Sequence, residues 1–177
     1  TVLDGAGNPV TGLPVADFEV RDNGRPQAIQ RFEMVHQLPL TLGLVLDTSG
    51  SMFGYAWERM LREIEATLSI YPRVNGIQVM SDMGNYLFSS YRGKWIPDSP
   101  ARRKVIIQNL RGWNVFSNSS PVEGIEAAIR TFAGSGKKIS IYVFGDEFTG
   151  ESISSVIDTV DRLNRRDANG NRLVRIH

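Results

Sequence analysis

From residue 40 onward, unbroken apolar runs alternate with stretches in which apolar residues recur every third or fourth position. Leu40-Thr41-Leu42-Gly43-Leu44-Val45-Leu46 is nearly continuous apolar sequence, which predicts a strand buried on both faces and ending at Asp47. Trp57, Met60, Leu61, Ile64 and Leu68 then repeat with the period of an amphipathic helix. Gly76–Ser81 and Tyr86–Ser89 are expected strands joined by a turn at Asp82-Met83-Gly84-Asn85. Asp98-Ser99-Pro100 is a helix start, with Val105, Ile106 and Leu110 on one face. Ser120-Pro121 starts another helix, with Val122, Ile125, Ile129 and Phe132 inward. Ile139–Phe144 is a second strongly apolar strand. Ile153, Val156, Ile157, Val160 and Leu163 form a third helical stripe, and Leu173–Ile176 begins a strand after a turn at Asp167-Ala168-Asn169-Gly170.

This alternation predicts an α/β fold: a doubly wound, mostly parallel sheet with helices on both faces. In such sheets ligands bind beyond the carboxyl ends of the strands, so the residues after Leu46 and Phe144 come first. Residues 1–38 follow a different pattern. Asp17–Val20 and Gln27–Phe32 alternate as strands do, and Asp22-Asn23-Gly24-Arg25 between them is hairpin-turn chemistry. The segment is too small for a core of its own and is expected to be a β-rich lead-in to a domain spanning residues 39–177.

Composition narrows the function. With 20 Lys+Arg against 19 Asp+Glu the net charge is +1, which argues against a strongly basic nucleic-acid binder. No apolar run is long enough to cross a membrane, so no membrane insertion is expected in this segment. The lack of Cys excludes disulfides, thiolate zinc sites and thiol nucleophiles. The only two His, His36 and His177, form no HExxH, so a zincin-type protease is unsupported. The first residue is Thr1, not Met, so the sequence is expected to be processed or trimmed, and any targeting signal would not be visible in it.

The candidate chemistry lies in Asp47-Thr48-Ser49-Gly50-Ser51-Met52, directly after the first buried strand. Asp47, Ser49 and Ser51 place one carboxylate and two hydroxyls in one tight loop. Hard oxygen donors of this kind suit Mg²⁺, Mn²⁺ or Ca²⁺. A polar turn capping the next helix is the alternative reading. What shifts the balance is Asp146 at the end of the other buried strand. If the two strands are parallel neighbours, both carboxylates reach the same edge.

At this point the sequence resembles the von Willebrand factor A family, on the stretch Leu42–Met52 and its metal-ion-dependent adhesion motif. Gly12–Gly24 is similar to the lead-in of a bacterial, acidobacterial-type branch of that family. The resemblance implies an adhesion or protein-binding module, not an enzyme, whose metal accepts a partner's acidic side chain. It implies that Ser49 and Ser51 bind the metal directly and that Asp47 acts largely through water. It also implies a second-loop threonine and a third-loop aspartate. Asp146 takes the aspartate's place, although Gly145 and Glu147 stand where the family has Thr and Gly. The second loop has no threonine at that point; Ser119 is assigned the role, with Ser117 and Ser120 as rivals and helix capping as the alternative. The family's fold continues past Leu173–Ile176, so the domain is expected to be truncated. An extracytoplasmic location follows from the resemblance alone.

The remaining signals have plainer readings. Asp167, Asn169 and Asn171 form a turn and not a calcium loop. Trp57 is expected in the core, and Trp95 and Trp113 partly packed. Arg102-Arg103-Lys104 is expected to be a solvated helix face. A Mg²⁺-dependent phosphotransfer enzyme would want a second acid two residues after Asp47, but Ser49 stands there. G-x-S-x-G, G-x-G-x-x-G and Walker loops are absent. A metal-independent scaffold is the other alternative.

Overall fold

In the computed structural model, Leu38–Leu46 (β3) is the hub of a four-stranded sheet. It pairs in parallel with Val74–Ser81 (β4) on one side and Lys138–Phe144 (β5) on the other. Val174–Ile176 (β6) extends the sheet from β5, also in parallel. The lower-numbered strands, Val20–Asp22 (β1) and Arg25–Gln27 (β2), form a separate antiparallel pair. The structure describes residues 2, 4–5, 10, 12–30, 38–114, 116–117, 120–146, 152–167 and 170–177. The chain divides into two units, Thr1–His36 and Gln37–His177.

In the first unit the hairpin turns at Asn23 (φ 48°) and Gly24 (φ 78°), the left-handed pair that a two-residue hairpin turn requires. The strand expected over Asp17–Val20 is displaced. Val15–Asp17 is instead a short 3-10 turn, because Asp17 and Phe18 donate their N–H groups back to the carbonyls of Pro14 and Val15, both at 3.1 Å. Pairing starts only at Val20. Residues 31–32 of the second expected strand lie outside the described residues.

In the second unit, helices flank the sheet: Tyr55–Ile70 (α1), Pro100–Arg111 (α2), Val122–Phe132 (α3) and Ile153–Leu163 (α4). The period-two geometry of a strand sends alternate β3 residues into different clusters. Leu42, Leu44 and Leu46 pack with Met60, Leu61 and Ile64 of α1 and with Ile106 and Leu110 of α2. Val45 packs with Ile125, Ile129 and Phe132 of α3 and with Ile139 and Ile141 of β5. The helix α4 forms as its apolar spacing predicts, but none of its residues is fully buried, and Ile153 and Ile157 are exposed. Among the described residues no helix is long and apolar enough to cross a membrane.

Three local expectations are corrected. Tyr86–Ser89 is not a strand. After Gly84 the chain returns beside β4 through Ser81 N–H to Asn85 carbonyl (2.7 Å) and Leu87 N–H to Val79 carbonyl (3.0 Å), then enters a 3-10 turn at Ser89–Tyr91. In α2 it is Ile107, not Val105, that joins Ile106 and Leu110 in the core. Arg103 is not a solvated cation. Its guanidinium grips Asp98 through Nε to Oδ1 (2.8 Å) and Nη2 to Oδ2 (2.7 Å). Its Nη1 donates to the carbonyls of Leu68 (2.6 Å) and Tyr71 (2.9 Å).

The α2 start behaves as its sequence predicts. Ser99 Oγ accepts the Arg102 N–H at 3.2 Å, with Pro100 in the first turn. Loss of an N-cap of this kind costs about 1 kcal/mol. Urea denaturation of Ser99→Ala is expected to show that loss, with the slope unchanged.

Trp57 is partly buried, and its Nε1 donates to the Leu110 carbonyl at 3.1 Å. Trp95 lies against Phe132, ring centroids 4.3 Å apart, and Trp113 packs on the first cluster. Trp95 and Trp113 are partly packed as their sequence setting predicts, whereas Trp57, expected in the core, lies at its margin.

Candidate functional site

Strand register decides which loops meet. Leu46 lies opposite Ser81 of β4 and opposite Phe144 of β5. The residues that follow each strand therefore emerge at one edge of the sheet. The ladder continues one step past the strand ends: Asp47 N–H donates to the Phe144 carbonyl and Asp82 N–H to the Leu46 carbonyl, both at 2.7 Å. Asp47 and Asp146, 99 positions apart by their numbers, come from neighbouring parallel strands.

The first loop is folded onto its own acid. Asp47 Oδ1 accepts the Ser49 N–H at 2.8 Å, an Asx-type turn, and both residues are buried. The Ser49 and Ser51 hydroxyls lie 3.0 Å apart. Ser51 Oγ donates in turn to Asp146 Oδ1 at 3.2 Å. A run of oxygens thus joins the first loop to the third. Ser51 and Asp146 are exposed, so the run opens to solvent at one end.

Gly145 explains one departure from the expected third-loop pattern. A Cβ at this position would lie 3.2 Å from Asp47 Cβ and 3.3 Å from its Oδ2. Glycine lets the third loop lie close against the Asp47 carboxylate, where any larger residue requires that side chain to give by a few tenths of an ångström.

Of the second-loop serines, Ser119 lies outside the described residues, as does Glu147. Ser120 is half-buried. Ser117 is buried, and its hydroxyl has no hydrogen-bond partner among the described residues. A buried hydroxyl without a partner costs about 1–3 kcal/mol, which makes Ser117 a strong rival for the second-loop role.

One acid was missed in the sequence. Asp82 is fully buried at the end of β4, level with Asp47. Its Oδ1 accepts from Thr48 Oγ1 at 3.1 Å and from the Thr48 N–H at 3.3 Å. The strand-end rule that singles out Asp47 and Asp146 applies equally to Asp82, but the residues Asp82–Asn85 have the look of an ordinary exposed turn.

Around these residues the surface is partly apolar. Phe53 and Phe116 are 52% and 75% exposed, yet their ring centroids are 6.3 Å apart. A recess of about 450 Å³ beside Asp146 is lined by Met52, Tyr55, Arg59 and Phe144 among others.

The donor set is the test of metal fit. It offers carboxylates and hydroxyls and no nitrogen or sulfur, which matches Mg²⁺, Mn²⁺ or Ca²⁺ and not zinc or copper. Among the described residues there is no group of three or more His, Cys, Asp or Glu side chains placed to hold a metal. Any cation here would rely on Ser49 and Ser51 as well as the acids. No model of a known protein family matches the chain, and no curated protein matches it significantly.

Proposed function

We propose that residues 39–177 form a von Willebrand A-like module, with a doubly wound sheet, that binds a protein partner through a divalent cation. The observation that carries this reading is the oxygen run Ser49–Ser51–Asp146, which joins loops 95 positions apart at one sheet edge. The two hydrophobic clusters, one with α1 and α2 and the other with α3, support helices on both faces.

Asp47, Ser49, Ser51 and Asp146, with a second-loop serine at 119 or 117, would hold the ion. A hard cation there supplies a Lewis-acidic position for an acidic side chain of the partner. The chain's own part is to orient the donors. Asp47 fixes the loop through the Ser49 N–H, and Gly145 seats the third loop against it. The exposed Phe53 and Phe116 give a partner apolar area beside the polar centre, the arrangement of a hot spot. The reading places the protein outside the cytoplasm and requires no catalytic step.

Calorimetric titration tests the proposal. Wild type is expected to bind Mn²⁺ or Mg²⁺ with a Kd of about 1 mM or tighter. Asp47→Ala is expected to weaken binding about tenfold or more. If wild type binds neither ion, the reading fails. The hydrogen bonds that close the loop without an ion favour one rival, a metal-independent scaffold. That rival predicts that a chelator leaves partner capture unchanged.

A further inference from the structure

Asp82 occupies the most enclosed position of the candidate site, and its bonding is lopsided. The residue is 0% exposed. Oδ1 takes two donors from Thr48, whereas Oδ2 has no hydrogen-bond partner among the described residues. A carboxylate oxygen left bare in the interior is costly unless something offsets its charge.

Its main chain is held on both sides. The Asp82 N–H donates to the Leu46 carbonyl, and the Asp82 carbonyl accepts from Gly124 at the start of α3. Ser81 Oγ closes the turn behind it by accepting the N–H groups of Met83 (3.2 Å) and Asn85 (3.1 Å). The carboxyl group is therefore rigidly presented to Thr48, which sits between Asp47 and Ser49 in the first loop. Through Gly124 the same residue is tied to the helix that follows the second-loop serines. One buried acid thus links the first loop, the end of β4 and the start of α3.

We propose that Asp82 is a positioning residue for the cation site, holding Thr48 so that Asp47 and Ser49 keep their places, with a negative charge that a bound cation offsets. The inference rests on the metal-binding reading above. Buried as it is, Asp82 need touch neither a binding partner nor the ion. It acts through Thr48, as outer groups commonly orient the ligands of a metal.

The test is Mn²⁺ titration of wild type, Asp82→Asn and Thr48→Val, with thermal midpoints measured with and without the ion. Asparagine keeps an oxygen acceptor for Thr48 but removes the charge. Valine keeps the shape of Thr48 but removes the hydroxyl donor. Asp82→Asn is expected to bind Mn²⁺ about tenfold more weakly, within the range known for outer groups of metal sites. Its thermal shift on adding Mn²⁺ is expected to shrink accordingly. Thr48→Val is expected to show a smaller loss, about threefold, since the N–H contact survives. A lowered thermal midpoint with wild-type Mn²⁺ affinity in both variants would overturn the proposal, because Asp82 would then serve the fold alone. If Asp82→Asn does not fold, Thr48→Val decides, and wild-type affinity there counts against the idea. Failure of wild type itself to bind Mn²⁺ removes the metal reading and this inference together, whereas wild-type binding with unaffected variants removes only the inference.

Discussion

Arg103→Ala is expected to destabilise the protein by about 3–5 kcal/mol, the usual result of stripping one partner from a buried ion pair. Asp98 is 4% exposed and holds both guanidinium contacts, and its Oδ2 also accepts the Val74 N–H at 2.9 Å. Without the arginine that carboxylate stays buried beside a single backbone donor. At the end of α1 the Tyr71 carbonyl loses the Arg103 donor as well, and the Leu68 carbonyl is left with the Tyr71 N–H alone. The connection from α1 into β4 and the start of α2 all depend on this one side chain. Equilibrium denaturation in urea at neutral pH reads the loss, and a change below about 1 kcal/mol would show the pair to be worth no more than a surface contact.

The same pair predicts a pH dependence. Burial alone would push the Asp98 carboxyl up, but the hydrogen bonds from Arg103 and Val74, with the charges of Arg103 and Arg73, outweigh it and hold the carboxyl below its ordinary value. The unfolded chain therefore takes up this proton at higher pH than the folded protein does. The stabilisation is fully present above the unfolded value, near 4, and is lost as pH falls through the lower folded value. Acidification from pH 6 to pH 3 is expected to cost wild type more stability than Asp98→Asn, which has no carboxyl to titrate. Equal losses would place the acid sensitivity elsewhere.

The contrast between Asp98–Arg103 and Asp47–Asp146 indicates what a sequence can show. Apolar runs at 40–46 and 139–144 announce buried strands because continuous hydrophobicity is what a two-sided burial demands. Once those strands are parallel neighbours, the acids that follow them share an edge. That step needs only local pattern and a topological rule. Arg103 required something else. Flanked by Arg102 and Lys104, it has the sequence setting of a solvated face, and buried Asp98 together with the Leu68 and Tyr71 carbonyls turns it inward. Asp82 was hidden for the opposite reason. Its neighbours Gly84 and Asn85 are turn residues, and Met83 and Asn85 do face solvent, yet the acid that opens the turn is sealed from it. Polar residues buried by tertiary contact leave no periodicity in the chain. The Gly145 departure is a milder case, since a glycine gives no hint of what presses against it until Asp47 is in view.

Gly124→Ala sets two effects against each other. Gly124 lies in the first turns of α3, where alanine is the better helix former by about 1 kcal/mol. Propensity alone predicts a stabilised protein. Space predicts the reverse. A Cβ there would meet the Ser81 carbonyl oxygen at 2.6 Å, Val45 Cγ1 at 2.8 Å and the Asp82 carbonyl oxygen at 2.9 Å. Two of those neighbours are backbone atoms at the end of β4, so no side-chain rotation relieves them. The helix or the strand end must move, and overpacking of this kind costs about 1–3 kcal/mol and at times more. With rigid backbone on two sides the upper end applies, and the net expectation is a loss of about 2–3 kcal/mol in urea denaturation. The Gly124 N–H also bonds the Asp82 carbonyl, so the displacement falls on the residue that braces Thr48. Mn²⁺ affinity is therefore expected to fall along with stability. A variant as stable as wild type would mean that α3 does not sit this close to the end of β4, and the bracing of the first loop from that side would go with it.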